Sequence, residues 1–245
     1  MTETEQAILD TLIELEEAVG RVQAEPKPDL MAIFGRLDAL TASLPRGTSP
    51  DLLHWNCSHP ATGFDGDTGS ISVTPQGTFA LWPGVGNATG QIFRAVPGGA
   101  DLDTWTTTGD VVHGAGGSRD PGRAIQLPSG WYVPECGNGM AWFRDGSGGA
   151  LSNLTLVGDV IERGTDGIGE FECPDVFELG GKTVALTSTG GKGGWSQFWV
   201  GNMAANDSRL LPDESGRLDY GHNGISSIYA AKTATSALPP FDRRG

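Results

Sequence analysis

The stretch E-F-E-C-P-D-V-F-E-L at residues 170–179 places four carboxylates among apolar side chains. Pro174 has no N–H to donate to a β-ladder, and it favours an extended conformation in the residue before it. The pattern therefore predicts Glu172 at a strand edge or on the loop before a strand. Apolar neighbours there would exclude water from its carboxyl group, which raises the pKa and suits the group to donate a proton near neutral pH. The alternative interpretation is that these carboxylates are surface charges flanking a buried Phe177.

Around this stretch, the chain beyond residue 50 has the sequence pattern of a β protein. Short apolar runs alternate with clusters of Gly, Pro, Asn and Asp, which are strand and turn signals. The predicted strands include residues 77–82, 124–127, 130–133, 183–186 and 197–200. Their close and regular spacing is typical of a sandwich, a barrel or a propeller.

Residues 1–50 have a different pattern, which predicts two amphipathic helices. In residues 1–24 the apolar side chains recur every three or four residues, at Ile8, Leu12, Leu15, Val19 and Val22. A second helix is predicted over 30–44, followed by a linker at 45–50. The repeat covers only about two heptads, so the segment either packs on a neighbouring sheet edge or serves self-association. We expect a helical amino-terminal segment at 1–50 and a β domain at 51–245.

The overall charge of the chain limits its partners. The 245 residues carry a formal net charge of −14 at pH 7, with 38 Gly, 15 Pro and 7 Trp. A surface this acidic repels nucleic acids and anionic membranes, whereas a neutral ligand such as a sugar is unaffected. The composition is that of a turn-rich globular protein, well away from the composition of disordered chains.

Cysteine and histidine usage gives no sign of a metal site or a cofactor. The cysteines at positions 57, 136 and 173 are too few and too scattered for a disulfide framework or a paired-cysteine metal site, although one disulfide stays open. The histidines show no spacing typical of metal ligands. We therefore expect no structural metal and no cofactor.

The amino-terminal sequence and the glycosylation sequons predict different cellular locations. No stretch approaches the roughly 20 apolar residues that span a bilayer, and the amino terminus is acidic and lacks the apolar core of a signal peptide. As written, the chain is expected to be cytoplasmic. Four glycosylation sequons, at Asn56, Asn87, Asn153 and Asn206, instead favour a secreted or vacuolar protein whose true amino terminus is missing.

Five short motifs follow one another along the β region. They are D-L-L-H-W at 51–55, T-G-S at 68–70, R-D-P at 119–121, E-C-P-D at 172–175, and D-Y-G at 219–221 with Y-A-A-K-T at 229–233. In this order and spacing they resemble the motifs of glycoside hydrolase family 32, the β-fructofuranosidases. The resemblance covers roughly residues 51–244, which is the middle of a catalytic domain.

This resemblance implies part of a five-bladed β-propeller, about three to four blades, with the active site in the central funnel. By analogy Glu172 is the general acid/base and Asp120 stabilises the transition state, while Arg119, Ser70 and Tyr229 contact the sugar. The implied reaction cleaves fructofuranosyl linkages in sucrose or fructans with retention, and a retaining enzyme needs two carboxylates about 5 Å apart. The alternative for the R-D-P motif is a local turn with an exposed ion pair, which contributes little stability.

The family's nucleophile block, N-D-P-N-G, has no counterpart in this sequence. Loss of a covalent nucleophile typically lowers the rate by several orders of magnitude. A second hypothesis is therefore a catalytically dead or truncated relative that binds carbohydrate or acts as a scaffold. A third, a five-bladed glycosidase acting on arabinosides or xylosides, is disfavoured by the Cys-Pro pair after Glu172. An open arc of blades would also leave sheet edges and an apolar flank that the helices or another copy would cover.

Overall fold

The computed structural model describes residues 47–48, 56–57, 69–83, 91–99, 102, 104–112, 119–137, 139–161, 171–189, 194–218 and 228–233. The chain divides into two compact units, Met1–Ala61 and Thr62–Gly245. In the first unit, β1 (Gly47–Thr48) pairs antiparallel with β2 (Asn56–Cys57). The boundary predicted near residue 50 falls between these two strands. The helices predicted at 1–24 and 30–44 lie outside the described residues, so they and their self-association stay predictions.

The second unit contains three antiparallel sheets. The first has the order β3 (Ser70–Thr74), β4 (Gly77–Pro83), β5 (Ile92–Pro97) and β6 (Trp105–Val112). The second consists of β7 (Arg119–Pro121) and β8 (Ile125–Leu127), both paired with β9 (Gly130–Cys136), then β10 (Met140–Asp145) and β11 (Leu154–Ile161). The third has the order β12 (Phe171–Leu179), β13 (Lys182–Thr189), β14 (Ser196–Met203) and β15 (Leu210–Arg217).

The strand predictions for the β region are confirmed, since each of the five predicted apolar runs lies within a strand or extends into one. The described part of the chain is mainly β and contains no helix, and hence no helix that could cross a membrane. Each sheet is an independent set of neighbouring strands, and within the described residues the three sheets do not close into a ring.

The middle sheet is buried on both faces, which explains its apolar strand sequences. On β9, Tyr132 belongs to one apolar cluster, together with Val176 of the third sheet. The next residue, Val133, belongs to another cluster, together with Leu81 of the first sheet. A strand enclosed on both faces reads as a continuous apolar run rather than as an alternating one, as the sequence W-Y-V at 131–133 does.

The first and last strands of the three sheets expose different kinds of residue, apolar on β3 and mostly polar on β15. On β3, Ile71 is 51% and Val73 72% exposed, while the alternate residue Ser72 is fully buried against the second sheet. The last strand of the third sheet, β15, is mostly exposed and carries Pro212 and Glu214. Proline and charged residues are typical of edge strands, because they discourage pairing with another chain.

Candidate active site

The residues predicted to form the site lie near the start of the first strand of each sheet. These strands, β3, β7 and β12, are called the inner strands below. Ser70 is the first residue of β3, Asp120 lies within β7, and Glu172 is the second residue of β12. The described segment 228–233 follows the third sheet and carries Tyr229. Hydrogen bonds connect each inner strand to the next, as the contacts below describe, so these positions come together in space although they span 160 residues of sequence.

The first of these contacts joins the first two sheets. The Ser70 hydroxyl donates to the Gly122 carbonyl oxygen at 2.8 Å. Gly122 in turn lies close to the third sheet, because a Cβ at this position would be 2.6 Å from the Pro174 carbonyl oxygen. Only glycine therefore lets the inner strands of the second and third sheets approach this closely.

The inner strands of the second and third sheets are both interrupted by irregular backbone. Asp120 has a φ of 54° and Cys173 a φ of 53°, and the strand register shifts around each of them. Residues other than glycine rarely adopt this left-handed conformation, which costs on the order of 1–3 kcal/mol and is concentrated at functional sites. Bulges of this kind redirect side chains next to active sites, and here they bring the two motifs into contact.

Asp120 connects the two predicted catalytic motifs directly. Its side chain is 7% exposed, and its Oδ2 accepts a hydrogen bond from the backbone N–H of Cys173 at 3.2 Å. This bond fixes the carboxylate of one motif beside the residue that follows Glu172 in the other. Two carboxyl-bearing residues on adjacent inner strands are thus held in a defined arrangement.

Glu172 is half-buried, and its carboxylate accepts a hydrogen bond from the hydroxyl of Tyr229. The backbone of Glu172 is fixed as well, since the Thr187 hydroxyl donates to its carbonyl oxygen at 2.8 Å. Tyr229 is 51% exposed, so one side of this pair faces solvent. Tyr229 was predicted to contact the sugar. In this structure its hydroxyl is hydrogen-bonded to Glu172, the predicted acid/base.

A second carboxylate of the same motif forms a network that sequence reasoning did not identify. Asp175 is 1% exposed and accepts hydrogen bonds from the N–H and the hydroxyl of Thr233, both at 2.7 Å. The Arg123 guanidinium lies 3.2 Å from its Oδ1. Asp175 and Thr233 both belong to quoted motifs, but nothing in the sequence singles out Arg123.

The sulfur atoms near the site are enclosed. Cys136 and Cys173 are buried, and within the described residues neither forms a disulfide. Burial raises the pKa of the Cys136 thiol well above its ordinary value, and a hydrogen bond with Thr187 opposes this only in part. A thiol in this state is protonated at neutral pH and therefore unreactive. Within the described ranges, no cluster of three or more His, Cys, Asp or Glu side chains is placed to hold a metal ion.

Parts of the predicted site fall outside the described residues. The backbone of Arg119 lies in β7, but its side chain is outside them, as are the motifs at 51–55 and 219–221. The roles assigned to Arg119 and Ser70 in sugar binding therefore stay predictions. Glu172 and Asp120 have the positions described above, and their catalytic roles also stay predictions.

Neighbouring antiparallel sheets of about four strands each, with the predicted site residues where the inner strands begin, have the architecture of β-propeller blades. Solved structures of glycoside hydrolase family 32 share it. The β-fructofuranosidase of Bombyx mori is 23% identical, with a TM-score of 0.60 over 78% of this chain and 46% of that one. The fructofuranosidase of Schwanniomyces occidentalis, solved with fructose, is 20% identical, with a TM-score of 0.63 over 78% of this chain and 43% of that one.

A third similar structure is the sucrose-6-phosphate hydrolase of Lactobacillus gasseri, which is 17% identical, with a TM-score of 0.60 over 78% of this chain and 44% of that one. The chain thus spans less than half the length of these relatives. No family profile and no curated protein matches the sequence. The structural likeness confirms the resemblance inferred from the motifs at the level of the fold, which is that of part of a family 32 glycosidase.

Proposed function

We propose that this chain is part of a glycosidase of the β-fructofuranosidase type, cleaving fructofuranosyl linkages in sucrose or fructans with retention. The observation that carries the proposal is the bond from the Cys173 N–H to Asp120, which joins the R-D-P and E-C-P-D motifs across two inner strands. Support comes also from the fold shared with family 32 enzymes. Two of these relatives were solved with sucrose and with fructosylnystose bound.

In the proposed mechanism Glu172 protonates the glycosidic oxygen as the leaving group departs, while a carboxylate nucleophile that the motifs of this chain do not supply bonds to the fructosyl carbon. Glu172 later removes a proton from the water that displaces this nucleophile. The reaction passes through an oxocarbenium-like state in which positive charge develops on the sugar ring. Asp120, held by the Cys173 N–H, is placed to stabilise this charge and to accept hydrogen bonds from sugar hydroxyls. The Tyr229 hydroxyl holds the Glu172 carboxylate in place before the substrate arrives.

A second candidate function is a carbohydrate-binding relative without turnover. The observation that favours it is the missing N-D-P-N-G block, because the sequence offers no other nucleophile at a matching position. In that case the groups around Glu172 and Asp120 would bind a sugar without cleaving it.

Fructose release from sucrose and from inulin, measured for the purified chain, separates the two functions. Glycosidase activity predicts turnover that is lost in Glu172→Gln and in Asp120→Asn. If the folded wild-type chain gives no fructose, the enzymatic proposal is wrong for this chain. Calorimetric binding of the same sugars to wild type and to Glu172→Gln then tests the binding function, which predicts binding without release.

A further inference from the structure

Arg123 makes contacts to two other parts of the molecule with a single guanidinium nitrogen. Its Nη2 lies 3.2 Å and 3.4 Å from the two carboxylate oxygens of Asp175, on β12. The same nitrogen donates to the hydroxyl oxygen of Thr233 at 3.0 Å. The residue thereby connects the second sheet, the third sheet and the segment 228–233.

The buried carboxylate of Asp175 requires hydrogen-bond donors around it. A carboxylate that is 1% exposed must be paired and hydrogen-bonded, because burial of an unpaired charge costs several kcal/mol. Its donors are Arg123 and both the N–H and the hydroxyl of Thr233. The position of Thr233 is therefore set by the requirement to satisfy Asp175.

Other residues of the segment bond to β12 and to β13. The Lys232 ammonium donates to the Pro174 carbonyl oxygen at 2.8 Å, and the Ala230 N–H donates to the Ser188 hydroxyl at 2.7 Å. Tyr229, at the other end of this short run, places its hydroxyl on the Glu172 carboxylate. Thr233 and Tyr229 are only four residues apart, so a displacement of Thr233 that also breaks these single hydrogen bonds reaches Tyr229.

We propose that Arg123 is a positioning residue for Glu172. Through Asp175 and Thr233, it holds the segment 228–233 against β12 and so keeps the Tyr229 hydroxyl on the Glu172 carboxylate. Glu172 as the acid/base rests on the proposed function, whereas the contact between Tyr229 and Glu172 does not depend on it. Without the guanidinium, the segment loses a donor that ties it to the second sheet, and Tyr229 separates from Glu172.

The hydrogen bond of Tyr229 can be observed directly by NMR of tyrosine labelled at Cζ, because the chain contains only 3 tyrosines. Tyr229→Phe assigns the signal, and Glu172→Ala gives its position when the bond is absent. In Arg123→Met we expect the Tyr229 signal to move most of the way to the Glu172→Ala position. Arg123→Lys, which keeps a charged donor, should restore part of the shift.

Arg144→Met is the matched control. Its guanidinium donates to the Ser129 carbonyl oxygen at 2.6 Å in an exposed contact of the second sheet, so its loss should leave the Tyr229 signal unchanged. Should Arg123→Met fail to fold, Thr233→Val tests the proposal instead. It removes the hydroxyl that bridges Arg123 and Asp175 but keeps the N–H donor, and the Tyr229 signal should move in the same direction. A wild-type Tyr229 signal in the folded variants would overturn the proposal.

Fructose release, measured in parallel, keeps the two proposals separate. If wild type turns over substrate, Arg123→Met should lower kcat more than KM, by less than the roughly 100-fold to 10,000-fold that acid–base catalysis contributes. An unchanged kcat in a variant whose Tyr229 signal has moved would contradict the positioning role. If wild type releases no fructose, the proposed function fails, and the NMR comparison still tests whether Arg123 positions Tyr229.

Discussion

The two junctions between neighbouring sheets are built on the same plan but from different polar groups. Between the first and second sheets, the apolar cluster that includes Leu81 and Val133 is bordered by hydroxyl contacts to backbone. The Ser70 hydroxyl donates to the Gly122 carbonyl oxygen at 2.8 Å, and the Thr74 hydroxyl donates to that of Gly149 at 2.7 Å. These two hydroxyls are neutral groups. A charged group also bonds across this junction, since the Arg94 guanidinium donates to the Ala150 carbonyl oxygen at 2.6 Å.

Between the second and third sheets, carboxylates take the place of the hydroxyls. Asp120 and Asp175 are both buried at this junction, and so is Asp207, which accepts the Ser129 hydroxyl at 2.6 Å. Trp142 also donates its indole N–H to the Asp207 carbonyl oxygen at 2.9 Å. Packing alone would not require these charges, since a buried ion pair is often no better for stability than apolar residues of similar size.

The difference is what the proposed function requires, because that function needs carboxylates only at the second junction. The first holds two sheets together with apolar contacts and hydroxyl bonds worth about 1 kcal/mol each. At the second, Asp120 bonds the residue next to Glu172, and Asp175 lies three residues further along β12. Asp207 has separate partners around Ser129. The predictions below test this difference by changing one group at a time at each junction.

The largest effect is expected for Trp142→Ala, which removes a fully buried ring from the second junction. Trp142 is 0% exposed and stacks on Tyr132 with ring centroids 5.0 Å apart. Its loss should lower the free energy of unfolding by about 3–5 kcal/mol, measured by urea denaturation. Trp131→Ala, at a half-buried position packed on the first junction, is the control and should cost less. Equal decreases in the free energy of unfolding would show that the two rings contribute equally to stability.

An intermediate effect is expected from Cys136, through the dependence of stability on pH. The thiol has an ordinary pKa of 9.0, which burial raises in the folded state. Above that pH the unfolded chain loses this proton while the native state keeps it, so the unfolded state binds fewer protons. The free energy of unfolding should then fall by up to about 1.4 kcal/mol per pH unit from this group alone.

Cys136→Ala removes this contribution and leaves the other titrating groups in place. Under reducing conditions, wild type should lose more stability than the variant as the pH rises from about 9 to about 11. Below about pH 9 the free energies of unfolding of the two proteins should depend on pH in the same way. Parallel stability curves for the two proteins would mean that the thiol is not enclosed as the structure describes.

The smallest effect is expected at the first junction for Thr74→Val. The substitution keeps the shape of the side chain but removes the donor to the Gly149 carbonyl oxygen. The hydroxyl also accepts the N–H of the exposed Gln76 at 3.1 Å, a bond that water can replace. The substitution should therefore cost about 1 kcal/mol, measured by urea denaturation. Thr106→Val, at an exposed position of β6, should change stability by less than about 0.5 kcal/mol. A decrease in the free energy of unfolding at Thr74 as large as that at Trp142 would contradict the small contribution assigned to the hydroxyl bonds of the first junction.

Much of the fold could be predicted because its signals are local. Runs such as 130–133 and 183–186 are apolar and follow turn residues, P-S-G at 128–130 and G-G at 180–181, which is enough to identify a strand. The backbone at Asp120 and Cys173 could not be predicted, because left-handed conformations favour glycine and these residues are held there by their surroundings.

The candidate site was predictable only as far as its motifs. Glu172 and Asp120 followed from short sequence patterns, and the structure brings their motifs together. The bond from Arg123 to Thr233 joins residues 110 positions apart, and that from Tyr229 to Glu172 joins residues 57 apart. Contacts at such separations depend on how the sheets stack, which no spacing within one segment reveals.

The edge strand β15 also affects how molecules behave at high concentration. An incoming strand from another molecule would meet Pro212, which has no N–H to offer, and the exposed carboxylate of Glu214. Two copies approaching edge to edge would bring these carboxylates together, a repulsion that strengthens as salt is diluted. Growth of a fibre by strand addition is therefore blocked at this end of the third sheet, and low-salt buffers should favour colloidal stability.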